Sequence, residues 1–464
     1  MENNKTVKTD PTDLTGGPVY RRIILYTLPI IFTSVLQLLF NAADLVVVGR
    51  FRGSVSLAAV GSTGAITNLI VNFFIGLSLG TGVSTAHAIG AKDEKMAHQV
   101  VHTALPTALI SGMILVVVGV TMAARFLTWM GTPEEVLPLS SVYMRIYFCG
   151  MPFSMVYNYC SAILRAAGDT RHPLIFLTLA GIINVIFNVL FVAVFGMGVE
   201  GVALATVISQ GISATLVVRE LTRRQDMIRL DLKKLRIYPR ALGKIARLGL
   251  PAGLNGSLYS ISNVLIQSSI NSLGKVVMSG NAAAGNIDGF VYVIQNAFAV
   301  AALNFVGQAI GAGKLDRVRK VYRAALLCAA TAGILSGTAA YVFGRSLLGI
   351  YITDSPEAIG YGLVSLSIIA LPYWLCVLMD VTSSTLRGMG RSFAPMIIAI
   401  IGICGFRILW IAFVFPLPDF HNLYWLKASY PISWVLTFIG QYIAFRLAFK
   451  QAEKTMAPKE QGGC

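Results

Sequence analysis

Acidic side chains are rare inside the long apolar segments of this sequence, and Asp44 is the first of them. It ends a polar series whose spacings of 3, 4 and 3 place all members on one face of a helix. The series is Ser34, Gln37, Asn41 and Asp44. An ionisable group inside a membrane helix costs about 2.5–3.5 kcal/mol, so its presence indicates a function such as binding a coupling ion. The alternative is a structural acid near the helix end, paired with Arg50 or Arg52.

A second polar group lies in the fifth apolar segment, where Asn184 and Asn188 are one helical turn apart on one face. Their amide groups could offer oxygen atoms to a cation or hydrogen bonds to a carboxylic acid. The alternative is that they join neighbouring helices by hydrogen bonds inside the bundle.

Asp380 and Arg407 lie within two later apolar segments. Because an unpaired charge is costly in hydrocarbon, we expect Arg407 to reach Asp380 and keep it ionised. In this interpretation Asp44 binds and releases the coupling ion, whereas Asp380 is a fixed charge that shapes the cavity.

Composition places these residues in a membrane protein. The chain is 55% hydrophobic and 12% charged, with a mean hydropathy of +0.70, which leaves too little polar surface for a soluble protein. Twelve apolar segments are long enough, at about 20 residues each, to cross a bilayer. They are residues 20–48, 56–82, 98–122, 138–162, 173–195, 199–219, 248–272, 281–305, 322–344, 361–385, 393–415 and 430–449. The sequence therefore predicts an all-α integral membrane protein with twelve transmembrane helices.

The second half of the chain repeats the first at a nearly constant shift. Matched pairs include Pro29 with Pro251, Asn41 with Asn263, Gly90 with Gly311 and Arg165 with Arg387. Six crossings in each copy predict two parallel six-helix repeats, and two such lobes around a cavity are typical of transporters that expose one site alternately to two sides. Asp44 corresponds to Ile266, whereas an acid needed only for packing would be expected in both copies.

The net charge of +16 indicates topology rather than a nucleic-acid partner. Of the 37 Lys and Arg residues, 29 fall on the side of the amino terminus, six on the other side and two, Arg145 and Arg407, inside helices. This excess predicts that both termini are cytoplasmic, in the plasma membrane or in the inner membrane of a cell with two. The predicted domains are a cytoplasmic tail at 1–19, an N-lobe at 20–219, a basic cytoplasmic linker at 220–247, a C-lobe at 248–449 and a second tail at 450–464.

Other chemistries find little support in the sequence. A GxxxxGK[ST] loop for ATP is absent, so we expect an ion gradient as the energy source and no cofactor. The six cysteines, Cys464 among them, have no metal-binding spacing, and His98 and His102 lack a third ligand nearby. No metal site is predicted other than one for Na⁺ at Asp44. A membrane enzyme and a channel are remote alternatives, because we find neither a catalytic set at one depth nor the several subunits of a typical channel.

Five motifs carry a resemblance to a known family. They are DLVVVG at 44–49, LRAAGD at 164–169, GVALAT at 201–206, VGQAIGAGK at 306–314 and LRG at 386–388. In this order and spacing the chain resembles the multidrug and toxic compound extrusion (MATE) transporters, over residues 14–449. These belong to a superfamily that also contains flippases for polysaccharide and lipid-linked precursors.

The resemblance implies cation-coupled export of amphipathic compounds by rocking of two lobes. It implies that the acid of the first helix, Asp44, is the main coupling residue, assisted by Asn184, Asn188 and Thr206. Many relatives carry an aspartate where this chain has Asn188, and the seventh predicted helix contains no acid. The coupling ion is therefore expected to be either H⁺ or Na⁺.

For the substrate cavity we predict a further set of residues. They are Gln37, Asn41, Asn158, Tyr259, Asn263, Asp380 and Arg407. The expected partners are small amphipathic organic cations and the lipid bilayer, with no nucleic acid and no obligate protein partner. The main alternative is a flippase for lipid-linked or polysaccharide precursors, which would need a cationic cavity for pyrophosphate.

Overall fold

The computed structural model describes residues 13–352 and 355–456, and these are almost entirely helical, with no strand among them. Cys464 and the outer parts of both predicted tails lie outside the described residues. The helices are α1 Val19–Gly53, α2 Val55–Gly90, α3 Glu94–Trp129, α4 Leu137–Cys149, α5 Met151–Ala166, α6 Arg171–Val194, α7 Val199–Arg223, α8 Pro239–Asn271, α9 Lys275–Gly311, α10 Leu315–Val342, α11 Gly344–Tyr351, α12 Pro356–Ile369, α13 Tyr373–Gly388, α14 Phe393–Val414 and α15 Leu423–Met456. The prediction of an all-helical fold is confirmed.

The described residues contain nine helices that are long and apolar enough to cross a membrane, and a tenth span if the bent pair α12 and α13 is counted as one. The predicted tenth helix, 361–385, is thus wrong as a single rod, because α12 and α13 meet at 45°. The predicted fourth helix, 138–162, is divided between α4 and α5, and a proline in the first turn of α5 lacks the backbone N–H that a continuous helix would use. Two of the predicted spans, 138–162 and 248–272, fall in α4 with α5 and in α8, which are not among these membrane-spanning helices.

The connection between α1 and α2 is much shorter than the predicted loop. The one residue with non-helical angles is Gly53, whose φ of 81° is a conformation that glycine adopts readily. Because α1 continues to Gly53 and not to residue 48, Asp44 lies about 14 Å from the helix end, deeper than the predicted end of the helix would place it.

We call α1–α7 the N-lobe and α8–α15 the C-lobe. These two sets of helices contact each other closely at one end of the bundle, which we call the basal face. The basal face is the end at which α1 begins and at which α2 and α9 end. Glycines allow α2 to approach α8 at backbone distance: a Cβ atom added to Gly76 would lie 2.1 Å from the backbone nitrogen of Gly253. Farther along α2, a Cβ atom on Gly90 would lie 2.0 Å from the carbonyl oxygen of Gln308. By contrast, a Cβ atom added to Gly64 would have no neighbour within 4 Å. The close approaches therefore do not extend to the part of α2 that lies farthest from the basal face.

Hydrogen bonds and ring contacts connect the lobes at the same face. Gln308 Nε2 of α9 donates to the carbonyl oxygen of Ala166 at 2.7 Å, and the Tyr26 ring of α1 meets Phe305 edge to face. The backbone N–H of Leu14 donates to Gln308 Oε1 at 2.8 Å, so the residues before α1 are bonded to α9 of the C-lobe. The basal face is therefore closed.

The basic segment between the lobes is docked on the N-lobe. α7 ends at Arg223 and α8 begins at Pro239, so residues 224–238 form the non-helical part of the predicted linker, apart from one short turn. The side chains of Ile228 and Leu230 are buried in the N-lobe core. The Asp231 N–H donates to His102 Nε2 at 3.0 Å, so His102 has a structural role in holding the segment.

Arg224 joins the start of this segment to three acids. Its guanidinium group contacts Asp169 and lies 3.3 Å from Glu220 and 3.1 Å from Asp226. His172 Nδ1 is 2.6 Å from the same Asp169 carboxylate. Asp169, His172 and Glu220 are close enough together to hold a metal ion, but Arg224 already supplies positive charge there.

Arg224→Gln is expected to destabilise the N-lobe. The Arg224 side chain is 14% exposed, so its loss leaves partly buried carboxylates without a counter-charge and costs about 2 kcal/mol. Thermal unfolding of the purified protein in detergent measures the change as a lower midpoint. The matched control is Lys234→Gln, because that linker side chain is 67% exposed in its ion pair with Asp231 and contributes little. Equal midpoints for the two variants would contradict the assignment.

Candidate functional site

Asp44 is positioned by a close approach of α1 and α6. A Cβ atom added to Gly181 of α6 would overlap the Phe40 ring of α1 at 1.8 Å, so only glycine permits this spacing. One turn and two turns beyond Gly181, α6 carries Asn184 and Asn188 on the side that faces α1. Asp44 follows Phe40 by one turn, which brings its carboxylate to the same level.

The four predicted coupling residues form one hydrogen-bonded chain in the structure. Asn188 Nδ2 donates to Asp44 Oδ1 and lies 3.2 Å from Asn184 Oδ1. Asn184 Nδ2 in turn lies 3.4 Å from Thr206 Oγ1 of α7. Asp44 is 8% exposed and Asn188 is fully buried, so the chain lies inside the N-lobe. The sequence placed these residues on three separate helices, and the fold brings them together.

Asp44 has no basic partner among the described residues. The predicted alternative, an ion pair with Arg50 or Arg52, is wrong, because neither arginine lies within 4.0 Å of the Asp44 carboxylate in the described part of the chain. Arg52 donates instead to the carbonyl oxygen of Val192 at 3.0 Å. The rings of Tyr143 and Tyr147 in α4 lie within electrostatic range of the carboxylate. A buried carboxylate with hydrogen bonds but no counter-charge is suited to binding a proton or a metal cation.

The backbone changes next to this site. Residues Leu190–Val194, which follow Asn188, form a π-helical turn at the distal end of α6. Such turns frequently occur at functional sites, because the extra residue frees a backbone carbonyl from the regular ladder. Here the carbonyl oxygen of Val192 receives the Arg52 guanidinium.

Five of the seven predicted cavity residues fall into two groups by their exposure. Gln37, Asn41 and Asn263 are exposed, whereas Asn158 and Tyr259 are half-buried. The Asn158 amide donates to the carbonyl oxygen of Ser154 at 2.8 Å, and the Tyr259 hydroxyl lies 3.8 Å from Met379 Sδ. Exposed amides on α1 and α8 are available to a bound compound, while Asn158 is already engaged within its own helix.

The predicted pairing of Arg407 with Asp380 is wrong. Arg407 is 2% exposed, its Nε donates to Ser433 Oγ at 3.2 Å, and its guanidinium carbon lies 3.9 Å from the centre of the Tyr430 ring. Asp380 is instead within electrostatic range of Arg387 and lies 3.9 Å from Cys376 Sγ. Arg407 extends towards α15, and nothing in the sequence indicates which neighbour it would face.

Two charged residues of the C-lobe were missed in the sequence. Asp288 lies in α9, and its Oδ1 atom is buried without a hydrogen-bond partner among the described residues. Lys427, which the sequence placed in an outer loop, lies in α15, is 6% exposed and stands 5.4 Å from the centre of the Tyr430 ring. Asp288 lies inside the predicted eighth helix, so a complete inventory of acids in apolar segments would have found it.

Comparison with known proteins gives the family of the chain. A family model described as MatE matches residues 29–190 and again residues 251–412, and the two segments begin at positions that the internal repeat pairs. Together they cover more than half of the sequence. The chain belongs to the MatE family. The resemblance to MATE transporters inferred from the sequence motifs is thereby confirmed.

Individual relatives agree with this membership. The chain is 28% identical over 445 residues to the probable multidrug resistance protein YoeA of Bacillus subtilis, covering 94% of this chain and 96% of that protein. It is 25% identical over 405 residues to the probable multidrug resistance protein NorM of Thermotoga maritima, covering 85% of each. A solved MATE transporter in an outward-facing conformation shares the fold, with a TM-score of 0.87, 22% identity and coverage of 96% and 99%.

The MatE family includes multidrug efflux transporters, and the chain has several helices that are long and apolar enough to span a membrane. Its relatives are transporters of small organic compounds rather than enzymes. In this chain the fold positions two sets of residues that could take part in transport, the N-lobe site around Asp44 and the charged residues of the C-lobe.

Proposed function

We propose that this MatE-family chain exports small amphipathic organic cations in exchange for H⁺ or Na⁺, and that Asp44 binds the coupling ion. The observation that carries the proposal is the buried Asp44 carboxylate, which has amide and hydroxyl neighbours and no basic partner among the described residues. Asn188 Oδ1 is also buried there without a hydrogen-bond donor. A protonated Asp44 would offer an O–H donor to that oxygen atom, and a bound Na⁺ would coordinate it.

The closed basal face supports alternating access by two lobes. In the proposed topology the basal face is cytoplasmic, both termini lie on that side, and the membrane is the plasma membrane or an inner membrane. The structure then corresponds to an outward-facing state. Return to the inward-facing state requires α2 to separate from the C-lobe, and α9 to separate from the N-lobe, at the basal face.

Twelve membrane crossings follow if α12 with α13 forms one span, α4 with α5 forms another and α8 forms a third. α8 is 33 residues long, which exceeds the length needed to cross a bilayer. α4 and α5 are separated by Gly150 alone and together span a similar length. This arrangement gives six spans in each lobe and the parallel repeat that the sequence predicts.

The multidrug resistance relatives favour drug export over the flippase alternative. Exposed amides at Gln37, Asn41 and Asn263 suit a cavity that accepts varied compounds, because amides both donate and accept hydrogen bonds. A cationic compound and the coupling ion could then compete for the same negative charge at Asp44.

The test is ethidium transport by the purified protein in proteoliposomes. A pH gradient at equal Na⁺ and a Na⁺ gradient at equal pH are imposed separately. We expect one of them to drive ethidium against its own concentration gradient, with saturation, and the driving gradient identifies the coupling ion. Ethidium that moves only down its own gradient would indicate a passive pathway and contradict the proposal.

A further inference from the structure

The C-lobe contains more buried positive charge than the function proposed above uses. Three cations, Arg387, Arg407 and Lys427, stand near two acids, Asp288 and Asp380. Arg387 lies within electrostatic range of Asp380, and Lys427 lies within electrostatic range of Asp288. This leaves Arg407 in excess, with an aromatic ring and a hydroxyl group as its described neighbours.

Neither Arg407 nor Lys427 has a carboxylate oxygen within 4.0 Å among the described residues. Both stand against the Tyr430 ring, which supports a cation but does not neutralise it. Asp288 lies within electrostatic range of Lys427 without contacting it, so Arg407 is the cation that is buried without an anion of its own. Because such burial is costly, Arg407 indicates a ligand that supplies the negative charge.

The internal repeat relates this pair to the N-lobe site. The shift that carries Asn41 onto Asn263 brings Asn184 next to Arg407 of α14 and Thr206 next to Lys427 of α15. The π-helical turn Trp410–Val414 follows Arg407, as Leu190–Val194 follows the N-lobe asparagines. The positions of two polar partners of the N-lobe acid are thus matched, within one residue, by two cations in the C-lobe, where Asp44 itself is matched by Ile266.

We propose that Arg407 and Lys427 form an anion-binding subsite for a carboxylate or similar anionic group on the transported compound. The subsite makes zwitterionic amphipathic compounds a preferred substrate class, with the cationic part near the N-lobe acid and the anionic part in the C-lobe. This inference rests on the proposed export function, but anion binding can be measured without transport. Arg is suited to the role because its planar guanidinium group can bind a carboxylate through two hydrogen bonds.

The test uses two dyes that differ by one methyl group. Rhodamine 110 carries a free carboxylate, and rhodamine 123 is its methyl ester. Binding to the full-length protein in detergent is followed by fluorescence anisotropy, and transport is followed in proteoliposomes. We expect the wild type to bind rhodamine 110 more tightly than rhodamine 123, by about tenfold for one charge-assisted contact.

Arg407→Gln is expected to remove that preference by weakening rhodamine 110 alone, and Arg407→Lys is expected to restore part of it. Lys427→Gln should lower the affinity for rhodamine 110 in the same direction. Arg145→Gln is the control, since Arg145 is an exposed arginine of the N-lobe helix α4. Should Arg407→Gln fail to fold, the wild-type comparison of the two dyes and Lys427→Gln still decide the matter.

Equal wild-type affinities for the two dyes would overturn the proposal. So would a loss of affinity in the Arg407 and Lys427 variants that is the same for both dyes, because a structural role affects both. If the wild type binds rhodamine 110 in an Arg407-dependent manner but neither dye is driven by an ion gradient, the subsite stands and the proposed export function fails.

Discussion

Asp44→Asn is expected to reduce gradient-driven ethidium export to the rate of liposomes without protein. Asparagine has nearly the shape of aspartate and can still accept the hydrogen bond from Asn188, so the N-lobe should fold. The variant cannot bind a proton at this position, and it lacks the negative charge that Na⁺ requires. Export in proteoliposomes under the driving gradient, with the thermal unfolding midpoint measured on the same preparation, separates loss of coupling from loss of folded protein.

Asp419→Asn is the matched control for this experiment. It makes the same chemical change at an exposed acid in the connection between α14 and α15, and it should export at the wild-type rate. Asp380→Asn provides a second comparison inside the C-lobe. Export by Asp44→Asn at the wild-type rate would show that the coupling ion binds elsewhere. If export is lost in Asp380→Asn alone, the ion-binding site should be sought in the C-lobe.

The N-lobe site could be predicted because its residues follow local rules. The polar series that ends at Asp44 and the pair Asn184 and Asn188 each repeat at helical spacing, which fixes their faces without knowledge of the tertiary fold. The meeting of these faces depends on Gly181, where the absence of a side chain lets α6 pack on Phe40. The residues could be selected from the sequence, but their hydrogen-bonded order could not.

The C-lobe site could not be predicted in the same way. Arg407 can extend in several directions from α14, and its contact with Tyr430 rather than Asp380 is decided by how α14 and α15 pack. Lys427 looked like a loop residue because α15 begins at Leu423, well before the predicted start of the twelfth helix at residue 430. Helix ends that extend past the apolar segment carry charged residues, so hydropathy alone places such residues outside the helix.

Helix lengths show the same limit at α1. The predicted end at residue 48 was set by Gly49 and the basic residues that follow, but helical geometry continues to Gly53. A single glycine with positive φ then reverses the chain without a loop. The depth of Asp44 depends on this boundary, and the repeat, which gives the relative positions of residues, does not define it.

Gly76→Ala is expected to open the basal face. The added Cβ atom would lie 2.1 Å from the Gly253 nitrogen, so α2 and α8 must move apart, and overpacking of this kind costs about 1–3 kcal/mol. That cost falls on the outward-facing state alone, and it shifts the equilibrium between states by about 5- to 150-fold. Spin labels at Lys95→Cys and Lys450→Cys, both exposed near the basal face, in a background without other cysteines, should report longer distances.

The contrast with Gly64→Ala makes this result specific to the contact between the lobes. Both substitutions add one methyl group to α2, but the Cβ atom of residue 64 has no neighbour within 4 Å, so spin-label distances and export should match those of the parent protein. Unchanged distances in Gly76→Ala would mean that the approach of α2 to α8 is not required for closure. A longer distance with slower export would instead show that transport needs the basal face to close as well as to open, since a carrier held in one state completes no cycle.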